Sequence, residues 1–371
     1  MPRAQEHETS DLRIVRRVDR AAADLRRGTP VIIRGSTSVG VVLSVETASA
    51  QEFAELRGLA DGGISLALTA RRANVLHILP SGHDVQLVPI DEALSENLAS
   101  ELADPAHDLD GGMRGPFRQG KDAPPDWADA GVALARHARL LPAVLVARLD
   151  VAVDWQALGL QDIEASEIAG VATFSGNILK PVAAARLPLW GAENTRMHAF
   201  RPADGGLEHL ALVVGDPPRD QPVLTRIHSE CFTGDLLGSM KCDCGEQLRG
   251  ALTAIGEAGA GVLLYLAQEG RGIGLMNKIR AYALQDKGYD TVDANLRIGF
   301  ETDERLFRPA AEMLRRLGFS SVRLMTNNPE KVAGLESEGI AVVARVPHKF
   351  PSNPHNADYL ETKKSRTGHF L

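Results

Sequence analysis

The residues best suited to chemistry lie between Arg226 and Lys331, centred on HSECFTGDLLGSMKCDCGEQ, residues 228–247. All three cysteines of the chain, Cys231, Cys242 and Cys244, fall inside this stretch, spaced as Cys-x10-Cys-x-Cys. A catalytic zinc ion takes three protein ligands and keeps a fourth position for water. Zinc enzymes that hydrolyse nucleobases use thiolate sets of this kind. The alternative is three buried cysteines packed as small hydrophobes. Their confinement to one short stretch favours zinc.

A second group follows the apolar run GVLLYL, 261–266, in QEGRGIGLMNKIRAYALQDKG, 268–288. Gly272 and Gly274 lack the third glycine of a dinucleotide fingerprint, and no Gly-Lys-Ser/Thr of a phosphate loop follows. The order strand, glycine turn, helix, with Arg271, Lys278 and Arg280 close by, suits a phosphate cradle. For Lys278 and Arg280 a solvated basic helix face is the other reading. Next, GFETDER at 299–305 places Asp303 and Arg305 at the start of a helix lined by Leu306, Met313, Leu314 and Leu317. Asp303 there has the plain reading of an N-cap. Finally, VRLMTNNPEKV, 322–332, reads as strand, turn and helix, putting Thr326 and Lys331 where an anionic ligand could sit.

The elements that must hold these groups are those of an α/β protein. Strands are expected at Met197–Phe200, at HLALVVGD (209–216), at VLTRIHSE and at GVLLYL, with helical spacing at Leu248, Ala251, Leu252 and Ile255. Upstream, residues 1–12 read as a disordered lead-in, and Val18, Ala21, Ala22 and Leu25 recur at helical spacing up to Gly28. TPVIIRG, Val39–Val45 and ISLALT read as strands, Ala50–Leu59 as a helix, 104–131 as a long loop, and Trp127–Arg139 as a helix leading to the strand PAVLVARLD. Residues 156–181 give no clear pattern. His107 and His137 sit among loop or charged residues and are assigned no role.

At 371 residues the chain exceeds one typical domain. Its 44% hydrophobic and 24% charged content is ordinary for a globular protein, and a net charge of −7 argues against general nucleic-acid binding. No run reaches the ~18 apolar residues of a membrane helix, and the charged N-terminus lacks a signal-peptide core. Three cysteines suit a reduced compartment, so the cytoplasm is expected.

The motifs RIHSECFTGD, CDCGEQL, QEGRGIGL, NKIRAYALQDKGYDTVDAN, DER and LMTNNPEK closely resemble GTP cyclohydrolase II, over residues 185–371. The resemblance implies hydrolysis of GTP to 2,5-diamino-6-ribosylamino-4(3H)-pyrimidinone 5′-phosphate, formate and pyrophosphate, the opening step of riboflavin biosynthesis. It implies zinc on Cys231, Cys242 and Cys244, whose water attacks C8 of guanine, and magnesium with the GTP phosphates. Arg226, Gln247, Glu269, Gly270, Arg271, Thr291, Thr326 and Lys331 match positions that hold GTP. Tyr282 matches the family's catalytic tyrosine, although half-buried core packing would be its plain reading. Arg305 matches an arginine proposed as a nucleophile on the α-phosphate, with Asp303 as its partner and base. A guanidinium is a poor nucleophile, so capture or stabilisation of the phosphoryl group is the preferred role. In the tail, Tyr359, Thr362, Lys363 and Gly368 follow the family, while His348, His355 and His369 need not be ligands. A homodimer is expected.

The first half, 13–184, resembles 3,4-dihydroxy-2-butanone 4-phosphate synthase through VDRAAADLRRGTPVII, ALTARRANVL and HARLLPAVLVARL. That family's acidic loop should follow the first strand, yet GSTSVGVV stands there, with no carboxylate before Glu46. Its Arg-x-Gly-His-Thr-Glu-Ala motif is absent too. The resemblance therefore implies a degenerate, non-catalytic α/β domain ahead of a mixed-sheet domain, and argues against a bifunctional enzyme. Two further readings compete: a relative that stops at the formamide or serves another pathway, and a zinc-stabilised GTP sensor without turnover.

Overall fold

A computed structural model of the chain describes residues 2–79, 81–90, 95–108, 117, 123–150, 152–174, 179–202, 205–351, 354, 356, 361 and 366. It divides into two compact units, Met1–Phe174 with Met276–Asp303, and Ser175–Leu275 with Glu304–Leu371. The break expected at 184/185 thus lies ten residues earlier, at 174/175, and Met276–Asp303, read as part of the second domain, packs with the first.

The first unit holds β1 (Val31–Arg34), β2 (Val39–Ser44), β3 (Ser65–Thr69), β4 (Val85–Pro89), β5 (Ala143–Arg148) and β6 (Asp162–Glu164) in one sheet, ordered β4-β3-β5-β2-β1-β6. All neighbours are antiparallel except β1 and β6. Its helices are α1 (Pro2–Arg26), α2 (Ala50–Leu59), α3 (Ala70–Val75), α4 (Glu96–Ala103), α5 (Asp126–His137) and α6 (Ala165–Phe174). The predicted stripe Val18, Ala21, Ala22 and Leu25 is fully buried in a core shared with α5, α6 and the strands Val31, Ile33, Val42 and Val144 contribute to. Residues read as a lead-in are instead the start of α1, which opens on Pro2 and runs through helix-forming Ala, Gln, Glu and Arg. The helix α5 begins at Asp126, so the end of the expected loop belongs to it.

The second unit is built on a seven-stranded sheet of β7 (Leu179–Arg186), β8 (Thr195–Pro202), β9 (His209–Val214), β10 (Val223–Ser229), β11 (Gly261–Leu266), β12 (Ser321–Met325) and β13 (Ala341–Val346). The order is β13-β12-β10-β11-β9-β8-β7. The strands β13, β12, β10 and β11 are mutually parallel, and the β9, β8, β7 side is antiparallel. The edge strand β7 is almost wholly exposed, which is why it carries no apolar signal. One face of the sheet packs α7 (Cys244–Glu257) through Ala251 and Ile255. The other packs α10 (Arg308–Arg316) and α11 (Pro329–Ser337) through Ala310, Met313, Leu314 and Leu335. In chain order α8 (Leu275–Asp286) and α9 (Thr291–Ile298) follow β11 and, from Met276 on, belong to the first unit. No helix among the described residues is long and apolar enough to cross a membrane.

Candidate active site

The sequence-predicted residues of the second unit converge where theory expects a ligand in a parallel sheet, beyond the carboxyl ends of the strands. The central strand β10 has parallel partners on both sides. Alternation sends Val223 and Ile227 to the α10 and α11 face, and Leu224 to the α7 face. Arg226 and His228 share the parity of Leu224 and are buried. The chain leaves β10 at Ser229 and reaches Cys231 two residues later, then makes one turn of wide helix, Phe232–Leu236; Cys242 lies just before α7, and Cys244 opens it.

The three Sγ atoms all lie within 4.8 Å of one another, with Cys231 and Cys242 separated by 3.7 Å. Two thiolates held at ~2.3 Å from one tetrahedral ion stand about 3.8 Å apart, so the spacing fits a shared zinc. Gly234 forms the floor of this cradle: a β-carbon there would come within 2.8 Å of Cys242 Sγ and 3.1 Å of Cys231 Sγ. Packed together, the thiols of Cys242 and Cys244 are pushed up, chiefly by hydrogen bonds with Cys231. A bound cation reverses this, because it takes the thiol as thiolate. The three cysteines are free, and together they are a donor set that could hold a metal ion.

Asp235, to which sequence reasoning assigned no role, organises the loop. Its carboxylate accepts the Cys231 backbone N–H at 3.0 Å, the Tyr265 hydroxyl at 3.0 Å and His228 Nε2 at 3.0 Å. A carboxylate of this kind only accepts, so the imidazole proton sits on Nε2. Burial holds the His228 ring low, against the pull of Asp235, and the ring stacks on Tyr265 at 5.5 Å between centroids. Burial also raises Tyr265, with the Asp235 charge adding to it. The only sequence cue was that His228 and Asp235 flank Cys231 in one motif.

Arg226 is 5% exposed, and burial brings its guanidinium down to about 10 while Asp243 and Cys244 pull it back up and Arg305 repels it. Its Nη1 donates to Met325 O at 2.9 Å and its Nη2 to Gln247 Oε1. Gln247 in turn donates to Asp243. Nε of Arg226 is buried and has no hydrogen-bond partner among the described residues. His348, one of the three tail histidines, is buried against the same helix. Its ring contacts Gln247 O at 2.8 Å, and its backbone pairs with the Asn327 side chain.

The turn after β11 is bent as sharply as its glycines suggest. Gly270, Arg271, Gly272 and Gly274 all have φ between 59° and 97°. Arg271, the one residue among them with a side chain, is held in a left-handed conformation that L residues rarely adopt. Glu269 is buried, accepting Phe232 N at 2.6 Å and Gly270 N at 2.9 Å, and so ties this turn to the cysteine loop. After β12, Thr326 closes the turn to Asn328, which caps α11, and Lys331 Nζ donates to Ile227 O at 2.8 Å. The unit therefore brings together the three cysteines, Arg226, Gln247, Glu269, Gly270, Arg271, Thr326 and Lys331.

Tyr282, Thr291 and Asp303 belong to the first unit, while Arg305 follows the break at 303/304. Tyr282 is half-buried on α8, with Lys278 Nζ 5.6 Å from its ring centre. Thr291 opens α9 and accepts from Gln285 at 3.1 Å. Two expectations are corrected. Asp303 is not an N-cap, because α10 starts only at Arg308, where Pro309 favours the first turn; Leu306 accordingly lies exposed, off the helix. Arg280 is neither on a solvated face nor in a phosphate cradle: it donates to Asp104 and to Glu46, each at 3.0 Å. Lys278 is buried as well. Tyr359, Thr362, Lys363, Gly368, His355 and His369 lie outside the described residues.

Comparison with known proteins places these features among relatives. A family profile for GTP cyclohydrolase II matches residues 180–347. A GTP cyclohydrolase-2 from Azospirillum brasilense is 52% identical over 363 residues, covering 96% of this chain and 94% of its own length. One from Pseudomonas aeruginosa (strain LESB58) is 58% identical over 190 residues, covering 51% of this chain and 92% of its own length. Among solved structures, RibBX, a two-domain 3,4-dihydroxy-2-butanone 4-phosphate synthase from A. baumannii, aligns with 89% of this chain and 99% of its own, at 17% identity and a TM-score of 0.34.

Proposed function

The chain belongs to the GTP cyclohydrolase II family, and from that premise we propose that the ends of β10, β11 and β12 carry a zinc site on Cys231, Cys242 and Cys244. As a GTP cyclohydrolase II it is a hydrolase of riboflavin biosynthesis, converting GTP to 2,5-diamino-6-ribosylamino-4(3H)-pyrimidinone 5′-phosphate, formate and pyrophosphate. The observation that carries the zinc reading is the 3.7 Å separation of Cys231 and Cys242 sulfurs over the Gly234 floor. When bound, zinc supplies a Lewis acid that makes water acidic enough to react at neutral pH.

The protein's own groups do the rest. Arg226 and Lys331, both buried cations, bind and orient the anionic substrate, together with Arg271 and Thr326. Burial strengthens those charges by excluding water. Gln247 and Glu269 complete the pocket, and Gly270 keeps backbone close to the ligand. Thr291 is a further substrate contact. Tyr282 moves a proton through its hydroxyl at the ring carbon under attack. Arg305 stabilises the phosphoryl group as pyrophosphate leaves, with Asp303 beside it in sequence as proton acceptor. Magnesium accompanies the triphosphate. The enzyme works as a cytoplasmic homodimer.

The first unit is non-catalytic in this reading. Its β1–β2 loop carries no carboxylate, and Glu46, the first that follows, is occupied by Arg280 and by Leu141 N at 2.7 Å. The test is metal analysis of the purified protein joined to incubation with GTP labelled at C8. One zinc per chain, with label released as formate, is expected. Label retained in a formamide would reassign the chain to a truncated reaction, and absence of zinc from active protein would overturn the metal assignment.

A further inference from the structure

The first unit contains a segment that the sequence assigns to the other half. Met276–Asp303 carries Tyr282 and Thr291, and it is compact with residues 1–174. Four sets of contacts hold it. Arg280, two residues from Tyr282 on α8, divides its guanidinium between two carboxylates: Nε donates to Asp104 and Nη2 to Glu46, both at 3.0 Å. Asn277, fully buried, donates to Arg139 O at 3.1 Å, and Arg139 is one of three non-glycine residues described with positive φ, at 59°. Lys287 Nζ donates to Ala106 O at 2.9 Å, just past the end of α8. Arg72, 1% exposed, forms a two-pronged pair with Asp108 at 2.6 and 2.7 Å and also donates to Arg297 O at 3.2 Å, while the Arg297 side chain reaches Asp108. The end of α9 fits against this pair so closely that a β-carbon on Gly299, at φ 101°, would lie 2.8 Å from Thr69 Oγ1.

We propose that the non-catalytic first unit serves the reaction by positioning the Tyr282 helix, with Glu46 and Asp104 as positioning residues that act through Arg280. The chemistry of the anchor supports a geometric role. The two carboxylates lie 58 positions apart in sequence and take two different nitrogens of one planar guanidinium, whose Nη1 donates to Asn277 Oδ1 at 2.9 Å, so together they set the rotation of α8 as well as its position; a lysine, with one ammonium, would not. Arg280 is two positions from Tyr282 and on the same helix. Small displacements of a reacting group are costly: ~1 Å of misplacement costs on the order of 100-fold in rate. The proposal rests on the reading that Tyr282 acts on substrate.

The test is the full-length double variant Glu46→Gln and Asp104→Asn. Each carboxylate uses one oxygen for Arg280 and the other for a backbone N–H, Leu141 for Glu46 and Ala106 for Asp104. An amide has one oxygen, so it keeps the backbone bond and turns its NH2 toward the guanidinium. The expected result is a kcat lower by about 10- to 100-fold, with folded content and zinc stoichiometry unchanged and KM for GTP moved much less than kcat. Combined with Tyr282→Phe, the double variant should lose nothing further, because both act through one hydroxyl. A kcat within twofold of wild type, or a loss that multiplies with that of Tyr282→Phe, would overturn the proposal. Should the double variant not fold, Glu46→Gln alone is judged by the same criteria. If Tyr282→Phe itself retains full kcat, the catalytic reading of Tyr282 fails, and the positioning proposal fails with it.

Discussion

Asp235 offers the sharpest check on how the cysteine loop is held. Its side chain, 6% exposed, is the common acceptor for Cys231 N–H, the Tyr265 hydroxyl and His228 Nε2. Asp235→Ala leaves three buried donors without their acceptor. Each unmet donor costs about 1–3 kcal/mol, so the variant should lose about 3 kcal/mol or more of unfolding free energy. Asp235→Asn keeps the shape and one oxygen. That oxygen still serves Cys231 and Tyr265, both now bound to Oδ2, and only His228 must change tautomer, so about 1–2 kcal/mol is expected. Because the carboxylate fixes the backbone of Cys231, zinc affinity should fall about 10- to 100-fold, as it does when groups behind a metal ligand are removed. Urea unfolding measures the first quantity, and competition with a chromophoric chelator measures the second. Equal zinc affinity in wild type, Asn and Ala variants would refute the argument that Asp235 places Cys231.

Other expectations follow from the same geometry. Cys242→Ser should remove zinc and abolish GTP turnover while leaving the far-ultraviolet circular dichroism intact, since the sheet core does not include the cysteine cradle; loss of the dichroism would mean the metal is structural. Arg271→Gly should lower kcat/KM for GTP yet leave the thermal midpoint unchanged or raised, because glycine relieves a left-handed φ of 59° worth about 1 kcal/mol; a fall in both would contradict the strain argument. Gly299→Ala combines a φ of 101° with a β-carbon 3.0 Å from Pro142 Cγ and should destabilise the first unit by more than ~1 kcal/mol, read by urea unfolding. His348 is lowered to about 4, first by burial and then by the Arg226 charge, against an ordinary value of ~6.5 in the unfolded chain. The unfolded chain therefore binds the extra proton between those values, so stability is fully present above about 6.5 and declines as pH falls toward 4. His348→Gln should flatten that decline in pH-dependent unfolding, and an unchanged slope would remove His348 as its source.

The parts of the site legible in the sequence were those whose chemistry is local. The cysteines stand within fourteen positions of each other, and they do converge, beside one turn of wide helix after β10 and the start of α7. The strand–turn–helix order around Thr326 and Lys331 is likewise set by neighbours, with Asn328 as cap and Pro329 opening the helix. What sequence reading lost depends on partners far along the chain. Arg280 reads as a free basic residue because Asp104 and Glu46 are 176 and 234 positions away. Asp235 is assigned no role from the sequence because one of its donors, Tyr265, comes from the next strand over. Asp303 reads as an N-cap because the pattern before Pro309 is helix-compatible, yet the backbone of Glu304 bonds to Arg271 O instead of starting a helix. The edge strand β7 was missed because exposure leaves it no period to read.

The interleaving of the units also bears on how the protein is made. Residues 1–174 leave the ribosome first and already contain the whole six-stranded sheet, but the segment that completes their unit begins only at Met276. At synthesis rates of ~5–20 residues per second, residues 175–275 impose a wait of roughly 5–20 s. During it Glu46, Asp104 and the carbonyl of Arg139 have no Arg280 or Asn277 to bind. The nascent chain must therefore hold a nearly finished fold open until its late-arriving helices dock, and codon choice across 175–275 sets how long that interval lasts.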